Sequence, residues 1–447
     1  MRTGGRMAAI ALLVAAGGAA AQDRVQLKHY PNGATYEGGF VDGRQQGHGV
    51  YRQPDGYEYE GDWVAGRIEG QGRARFASGA IYEGAFVAGK PEGQGKITQP
   101  DGGTYEGAWK AGRMEGTGVV VFSDGARYEG GFVDGRQQGE GVYVAADGAR
   151  REGTWVAGKL EGRGRIAYAD GSIYEGDLVA GLPQGQGKLV RADGGTYEGG
   201  WAAGKRQGAG ALVAASGDRY EGAFVEGRRE GTGVAVFADG SRYEGGFKAD
   251  LFEGEGVLTR PDGSTQEGVW AAGELQSPGK IRFPGGAAYE GALAGGLPEG
   301  AGVVVFPDGS RYEGAWVGGR REGEGRMTYP DGASYAGGWR DNRREGAGVA
   351  IGPDGSRYEG GFAADQRAGQ GKMTLPDGHV LEGVWAAGKL EGPGVALYPG
   401  GARYEGAFVA GLPEGQGRIV FPDGTAFEGL WKAGQPVRPE PDPARQP

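Results

Sequence analysis

Glutamate is the residue whose spacing most invites a chemical role, because it returns every 23 residues along most of the chain. One such series contains Glu37, Glu106 and Glu428. A ladder of carboxylates can bind cations or a basic partner. Each carboxylate can also accept hydrogen bonds from nearby turn backbone or pair with a neighbouring arginine, and the sequence favours this structural role.

Basic residues form a second recurring set, at places where glycines predict tight turns. The six that we select as a candidate interaction surface are Arg228, Arg229, Arg320, Arg321, Arg343 and Arg344. Such a stripe could contact phospholipid headgroups or acidic proteins. A glutamate follows each pair, as Glu230 and Glu345 do, so a solvated edge of mixed charge is the simpler interpretation.

Other reactive residues are sparse. The chain has no cysteine, and its three histidines, His29, His48 and His379, have no partner in a recognisable arrangement. The many Gly-x-Gly pairs do not form a phosphate-binding loop. We therefore predict no catalytic residue, no cofactor and no metal site, and we predict that the protein is not an enzyme.

The two ends of the chain differ from the rest. Arg2 and Arg6 precede a short apolar run and then small residues, which is the pattern of a secretory signal peptide over residues 1–21. Export would place the protein in the periplasm, or in association with the cell envelope, if the source is a Gram-negative bacterium. Five prolines from position 436 onward predict that residues 435–447 form a disordered tail.

Charge limits the partners of the exported chain. Removal of Arg2 and Arg6 leaves 46 basic against 58 acidic residues, a net charge of −12. Such a surface repels nucleic acid and has no general attraction for anionic lipid. Without cysteine, an exported chain must be held by packing and backbone pairing alone.

A repeat of 23 residues positions all these side chains. The reference copy opens with Tyr105-Glu106-Gly107-Ala108-Trp109, and with Tyr105 counted as position zero the frame recurs in 18 copies, the last opening at Phe427. All nine tryptophans stand at position four. A period this short and regular is typical of an array in which each unit stacks on its neighbours.

Each copy divides into two stretches in which side chains alternate, as they do in β-strands. A glycine-rich turn joins the two stretches, and pairs such as Asp101-Gly102 link one copy to the next. The sequence therefore predicts an all-β fold, an elongated antiparallel β-hairpin meander. Its tandem repeats cover residues 36–434, after half a repeat at 22–35.

The glycines also predict a register for each hairpin. If the turn lies within 112–116, Trp109 faces Gly118 and Tyr105 faces Phe122. Large side chains then lie against bare backbone. A slip of one residue would move the aromatic rings into solvent.

This pattern resembles the MORN repeat (membrane occupation and recognition nexus), which has an aromatic-Glu-Gly-x-aromatic opening, glycines across a hairpin and an Asp-Gly link. The resemblance covers nearly all of the chain after residue 22. It implies an elongated β meander used for protein association, with phospholipid contact in some members. The family often has histidine just before the second turn glycine, where this chain has residues such as Gln46, Glu69 and Glu92.

A longer period of five copies, or 115 residues, lies within the short one. Residues 127–132 recur at 242–247 and 357–362. Duplication of a five-copy block explains this rhythm, and contact with a partner at every fifth copy is the alternative. The copy at 266–288, which carries Ser277-Pro278 where others have a turn glycine, is the predicted weak point.

Two hypotheses for function follow. The first is a non-enzymatic scaffold of the cell envelope that binds unidentified envelope proteins, or itself, through the aromatic face or the face of Glu and Val. The alternative is a peripheral module that binds phospholipid or cell-wall glycan through the basic turns or exposed tryptophans.

Overall fold

The computed structural model describes residues 25–437. The predicted signal peptide, residues 1–21, and most of the predicted tail, residues 438–447, lie outside the described residues. Within 25–437 the chain forms strands joined by short turns, and no helix there is long and apolar enough to cross a membrane. The predicted all-β hairpin meander is confirmed, since 38 strands form one open antiparallel sheet.

The chain divides into two units, and the first comprises described residues 25–192 with 201–204. Its strands are β1 (Gln26–His29), β2 (Thr35–Val41), β3 (Arg44–Arg52), β4 (Glu58–Val64), β5 (Arg67–Arg75), β6 (Ile81–Val87), β7 (Lys90–Thr98), β8 (Thr104–Lys110), β9 (Arg113–Val121), β10 (Arg127–Val133), β11 (Arg136–Val144), β12 (Arg150–Val156), β13 (Lys159–Ala167), β14 (Ile173–Val179) and β15 (Leu182–Val190). Strand β16 (Thr196–Ala202) has residues in both units.

The second unit comprises residues 193–200 with 205–437. Its strands are β17 (Lys205–Val213), β18 (Arg219–Val225), β19 (Arg228–Val236), β20 (Arg242–Lys248), β21 (Leu251–Thr259), β22 (Thr265–Ala271), β23 (Glu274–Leu275), β24 (Gly279–Arg282), β25 (Ala288–Ala294), β26 (Leu297–Val305), β27 (Arg311–Val317), β28 (Arg320–Thr328), β29 (Ser334–Arg340), β30 (Arg343–Ile351), β31 (Arg357–Ala363), β32 (Gln366–Thr374), β33 (Val380–Ala386), β34 (Lys389–Leu397), β35 (Arg403–Val409), β36 (Leu412–Val420), β37 (Ala426–Lys432) and β38 (Gln435–Pro436).

A typical copy consists of a first strand of seven residues and a second strand of nine, as in β8 and β9. In β8 the side chains alternate between the two faces, so Tyr105 and Trp109 are buried while Glu106 and Lys110 are exposed. We call the side that carries positions zero and four the aromatic face, and the other side the outer face. The two-residue period of the sequence thus decides which face each side chain occupies.

The register within each hairpin differs from the predicted one. Tyr105 pairs with Val120 rather than Phe122, and Trp109 pairs with Met114 rather than with a glycine. Aromatic rings do cover bare backbone, as predicted, but the ring over Gly118 is that of Tyr105 and not that of Trp109.

The shift arises from the tip of the hairpin, the two-residue turn between its strands. Ala111 and Gly112 both have positive φ, at 50° and 83°, which makes this a tight turn of the primed type. A β-bulge between Gly107 and Trp109 then shifts the register, so that Gly107 still pairs with Gly118. The prediction was wrong because alanine rarely adopts a left-handed conformation and the sequence does not reveal the bulge.

A side chain from the preceding copy accepts a hydrogen bond from most of the left-handed alanines. Glu92 accepts a hydrogen bond from the backbone N–H of Ala111 at 2.7 Å, and Gly112 N–H donates to Pro91 O at 2.9 Å. The same side-chain bond recurs between consecutive copies. Its acceptors are Gln46, Glu69, Glu92, Glu115, Gln138, Glu161, Gln184, Gln207, Glu230, Glu253, Glu299, Glu322, Glu345, Glu391 and Glu414.

The turns between copies, here called link turns, are built as predicted. Asp101 accepts a hydrogen bond from the N–H of Gly103 at 2.9 Å, and Gln99 N–H donates to Gly103 O at 2.7 Å. Gly102 has a φ of 88°, which an Asp-Gly pair allows.

Two places depart from the regular pattern. In the predicted weak copy the second strand is broken into β23 and β24, with a cis peptide bond between Ser277 and Pro278. At the end of the chain, Gln435 and Pro436 form β38 and pair with the end of β37, so the prediction of disorder is wrong for these two residues.

Candidate interaction surface

Tyrosines at position zero form the floor of the aromatic face. Tyr105 lies so close to Gly107 and Gly118 that a Cβ on Gly118 would overlap its ring. Its hydroxyl donates to Ala108 O at 2.7 Å. All fourteen tyrosines at position zero are buried and make the same bond to the residue three positions on.

Burial also sets the ionisation of these hydroxyls. Loss of water around the phenol raises the pKa of Tyr82, Tyr105 and Tyr128 to about 12, and the charge of a nearby glutamate acts in the same direction. The tyrosines therefore stay neutral hydrogen-bond donors at physiological pH.

Tryptophans at position four fill the spaces between the tyrosines. Trp109 donates from Nε1 to Gly95 O at 3.0 Å and lies edge-on to Tyr82 and Tyr105, with ring centroids 5.1 and 5.2 Å apart. All nine tryptophans make this bond to the glycine 14 residues earlier. None is more than 8% exposed, so no tryptophan offers the open stacking surface that the glycan hypothesis needs.

The side chain at position nine covers the tyrosine ring, and its residue type differs between copies. Phe252 stacks on Tyr243 with ring centroids 3.7 Å apart. Arg321 takes the equivalent place, with its guanidinium carbon 5.6 Å from the Tyr312 ring and 4.4 Å from the next tryptophan ring. The reference copy has uncharged Met114 there. Position nine thus determines whether the aromatic face presents apolar or cationic groups.

Three of the six arginines predicted as an interaction surface stand at position nine and are tied into the fold. They are Arg229, Arg321 and Arg344. Arg344 places Nε 3.3 Å from Asp365 Oδ1 and donates from Nη2 to Asp365 O at 2.6 Å. Stacking and these bonds fix the guanidinium plane.

The other three, Arg228, Arg320 and Arg343, stand one residue earlier and are exposed. Arg320 pairs with Asp341 at 2.6 Å. The six arginines therefore do not act as one uniform basic stripe, and an exposed ion pair of this kind contributes little stability.

A groove crosses the aromatic face between hairpin tips and link turns. This apolar groove has a volume of about 550 Å³, with Tyr105, Trp109 and Phe132 in its floor. Met114 lines it from the tip side and Phe122, which is 38% exposed, from the link side. Its other polar lining residues are Gln99, Asp101, Thr104, Arg113, Ser123 and Gln137.

A second groove of the same construction lies in the second unit. This arginine groove has a volume of about 500 Å³, and its floor includes Tyr335, Tyr358 and Phe362. Two arginines at position nine, Arg344 and Arg367, line it. Burial lowers the pKa of Arg367, and the charge of Arg344 acts in the same direction. Asp365, which pairs with Arg344, also lines this groove.

The outer face carries the glutamate ladder at position one. Glu106 lies 3.7 Å from Lys96, and Glu129 lies 2.7 Å from Arg127. A shallow concavity of about 800 Å³ on this face is lined by the same four residues, among others. The pairing of these carboxylates with basic neighbours agrees with the structural interpretation. Across residues 25–437 no cluster of acidic residues and histidines has the arrangement of a metal site.

The histidines are dispersed. His48 is exposed, 3.9 Å from Glu60 and from Asp62. His379 stacks on Tyr398 with ring centroids 4.9 Å apart. The structure does not bring the histidines together.

Comparison with known proteins gives one strong result. The MORN repeat model matches sixteen stretches between residues 36 and 426, and it leaves out the broken copy at 266–288. No curated protein sequence matches the chain.

Solved structures show only weak similarity. The TCP domain of SAS-4 from Drosophila melanogaster, solved with a proline-rich motif of Ana2, is 14% identical and matches 40% of this chain and 85% of that one, with a TM-score of 0.19. The TCP10 domain of CPAP from Danio rerio is 13% identical and matches 70% of this chain and 99% of that one, with a TM-score of 0.14. Virginiamycin B lyase from Staphylococcus aureus is 11% identical and matches 69% of this chain and 93% of that one, with a TM-score of 0.11. Scores this low carry no argument about function. Because the repeat model matches most of the chain, the protein belongs to the MORN repeat family.

Proposed function

We infer that the protein is a non-enzymatic scaffold of the cell envelope that binds other envelope proteins along its aromatic face. MORN repeats are in general modules for interaction with proteins or membranes. The observation that carries the proposal is the pair of grooves, since both are floored by rings that hydrogen bonds already hold in place. A preformed floor reduces the ordering that binding requires.

The occupant that fits these grooves is an extended segment of a partner protein. A volume near 500 Å³ accepts a few side chains rather than a folded domain. The apolar groove, with Met114 and Phe122 in its walls, suits apolar side chains of the segment. The arginine groove suits an acidic side chain chiefly through Arg367, because Asp365, which also lines this groove, already pairs with Arg344.

Phospholipid and cell-wall glycan are the alternative ligands, and the structure supports them less. The nine tryptophans are buried, half of the selected arginines are engaged in the fold, and the chain carries a net charge of −10. Co-sedimentation of residues 22–447 with anionic vesicles and with peptidoglycan, at graded salt, separates the two classes. We expect no binding at moderate ionic strength, and retention at high salt would favour the alternative.

Two matched variants test the groove. Met114→Glu places a charge in the apolar groove, whereas Val133→Glu places one on the outer face, where Val133 is 48% exposed. Affinity recovery from envelope extract, with circular dichroism to verify folding, should lose a defined set of proteins for Met114→Glu only. Equal recovery with both variants would contradict binding at the groove.

The envelope location rests on the signal-peptide pattern of residues 1–21. Mass spectrometry of the protein from a periplasmic fraction should find a chain that begins at Gln22. Recovery of the uncleaved chain from the cytoplasm would contradict this location.

A further inference from the structure

The two ends of the sheet carry incomplete copies. Strand β1 is the end part of a second strand, and it pairs only with β2 among the described residues. At the other end, the short β38 pairs with Trp431 and Lys432 of β37. Residues 426–429 of β37 therefore pair on one side only within 25–437, with β36. In the part of the chain that the structure describes, each end therefore presents an open strand edge.

Strand β1 already has the register of a complete second strand. Leu27 faces Glu37 in β2 just as Val119 of β9 faces Glu129 in β10. Among the described residues, no first strand of a hairpin pairs with the other edge of β1. Likewise, no end part of a second strand pairs with residues 426–429 of β37, and β1 is such an end part.

The aromatic packing is incomplete at the same two places. Tyrosines at position zero lie edge-on to the aromatic residue 27 positions later, with ring centroids 4.9 to 5.5 Å apart. Within residues 25–437, neither Phe427 nor Phe40 has a partner at this spacing. The described aromatic residues at positions zero and four are all buried except Phe40 and Phe427, which are half-buried.

We propose that the β37 end of one copy of this protein joins the β1 end of a second copy, so that β1 supplies the missing strand. The pairing of β8 with β9 fixes the register of this joint. Its residue pairs are Ala426 with His29, Phe427 with Lys28, Glu428 with Leu27, and Gly429 with Gln26 of the second copy. Phe427 then packs edge-on against Phe40 of that copy.

The side chains at the joint are compatible with this arrangement. The Lys28 ammonium already lies 5.4 Å from the Phe40 ring, so it would also meet the ring of Phe427. Gln26 replaces the glycine over which a tyrosine ring normally lies. The Phe427 ring lies over Gly429 and has no hydroxyl to bind the backbone, so it must shift at the joint to make room for Gln26.

The joint uses different surfaces on the two copies. Assembly is therefore head-to-tail. This inference does not depend on the proposed function.

Disulfide trapping tests the joint, because the chain has no cysteine of its own. Residues paired across antiparallel strands lie about 4.5–5.5 Å apart at Cα, within the range of a disulfide. A mixture of Leu27→Cys and Glu428→Cys chains, each residues 22–447, should yield mixed disulfide dimers. Gln26→Cys with Glu428→Cys is the register control and should not react. Dimers formed only within a single variant, or no dimer at all, would overturn the proposal.

Charge at the joint gives a second test by sedimentation at several protein concentrations. Leu27 would lie between Glu37 and Glu428, so Leu27→Glu should weaken association by up to about fivefold at low salt and Leu27→Lys should strengthen it. Leu251→Glu, at a leucine that is 50% exposed away from the joint, should have no effect. A single-chain mass at every concentration, for the unmodified chain and all variants, would refute the joint.

Discussion

Each tyrosine at position zero is fixed by several contacts at once. The ring of Tyr404 lies over Gly406 and Gly417, and its hydroxyl donates to Ala407 O at 3.1 Å. Its edge contacts Trp431, with ring centroids 4.9 Å apart. These glycines are therefore needed because they leave space for the ring, and not because the backbone turns there.

Replacement of such a glycine should destabilise the protein. In Gly417→Ala the new methyl group would overlap the Tyr404 ring, so we expect a loss of about 1–3 kcal/mol in the free energy of unfolding. Gly400→Ala is the matched control, because a Cβ there meets nothing within 4 Å and φ is not positive. That control should be neutral or slightly stabilising. Urea unfolding followed by tryptophan fluorescence distinguishes them, and equal midpoints would disprove the ring-over-glycine contact.

Hairpins are joined at their tips by a device that the family pattern does not predict. The family's frequent histidine is replaced here by Glu or Gln, and the structure shows these side chains accepting a hydrogen bond from the next tip. The acceptor compensates a residue held at positive φ, such as Ala111. Each hairpin therefore stabilises the turn of the hairpin that follows it.

A substitution at one tip should reveal this coupling. Glu92→Ala removes the acceptor for Ala111 N–H, so we expect this amide to exchange several-fold faster with solvent, because one hydrogen bond contributes about 0.5–1.5 kcal/mol. Glu92→Gln should retain protection, since Gln46 and Gln138 make the same bond in other copies. Hydrogen exchange with mass spectrometry measures both. Equal exchange in the alanine and glutamine variants would show that the side chain is not the acceptor.

Sequence periodicity was sufficient for the class of fold, the faces of the strands and the link turns, because these follow from alternation and from Asp-Gly pairs. The predicted register is wrong by two residues at Tyr105 and by four at Trp109, since the left-handed Ala111 and the bulge after Gly107 leave no signature in a single copy. The sequence alone predicts surface charge for the arginines at position nine, because their stacking on rings depends on that register. The grooves could not be predicted, since each combines residues from neighbouring copies.

Across the whole molecule, the buried tyrosines make folding sensitive to alkaline pH. A free tyrosine ionises near pH 10.0, whereas burial raises the pKa of Tyr243, Tyr312 and Tyr335 to about 12. Between these values the unfolded chain releases protons that the folded chain retains, so each step in pH favours unfolding. The stabilisation is complete below pH 10 and is lost as pH rises towards 12.

Tyrosinate absorbance and circular dichroism, recorded together over this pH range, test the effect. We expect the buried tyrosines to ionise together with the loss of strand signal, and the exposed ones to ionise earlier. Full ionisation near pH 10 with an intact sheet would contradict their burial.

The two grooves extend this argument to the function of the whole chain. They share one floor design but differ at position nine, where Met114 stands in one, and Arg344 and Arg367 stand in the other. One repeat can therefore present different chemistry along a single face. Segments of different character, apolar and acidic, are expected to bind in the two units.

Photo-crosslinking in cells tests most directly the central claim that protein partners bind the aromatic face. A photoreactive amino acid would replace Met114 in the apolar groove or, as the matched control, Val133 on the outer face. We predict adducts with a defined protein from position 114 and none from position 133. The same adducts from both positions, or adducts only with lipid or glycan, would contradict the claim.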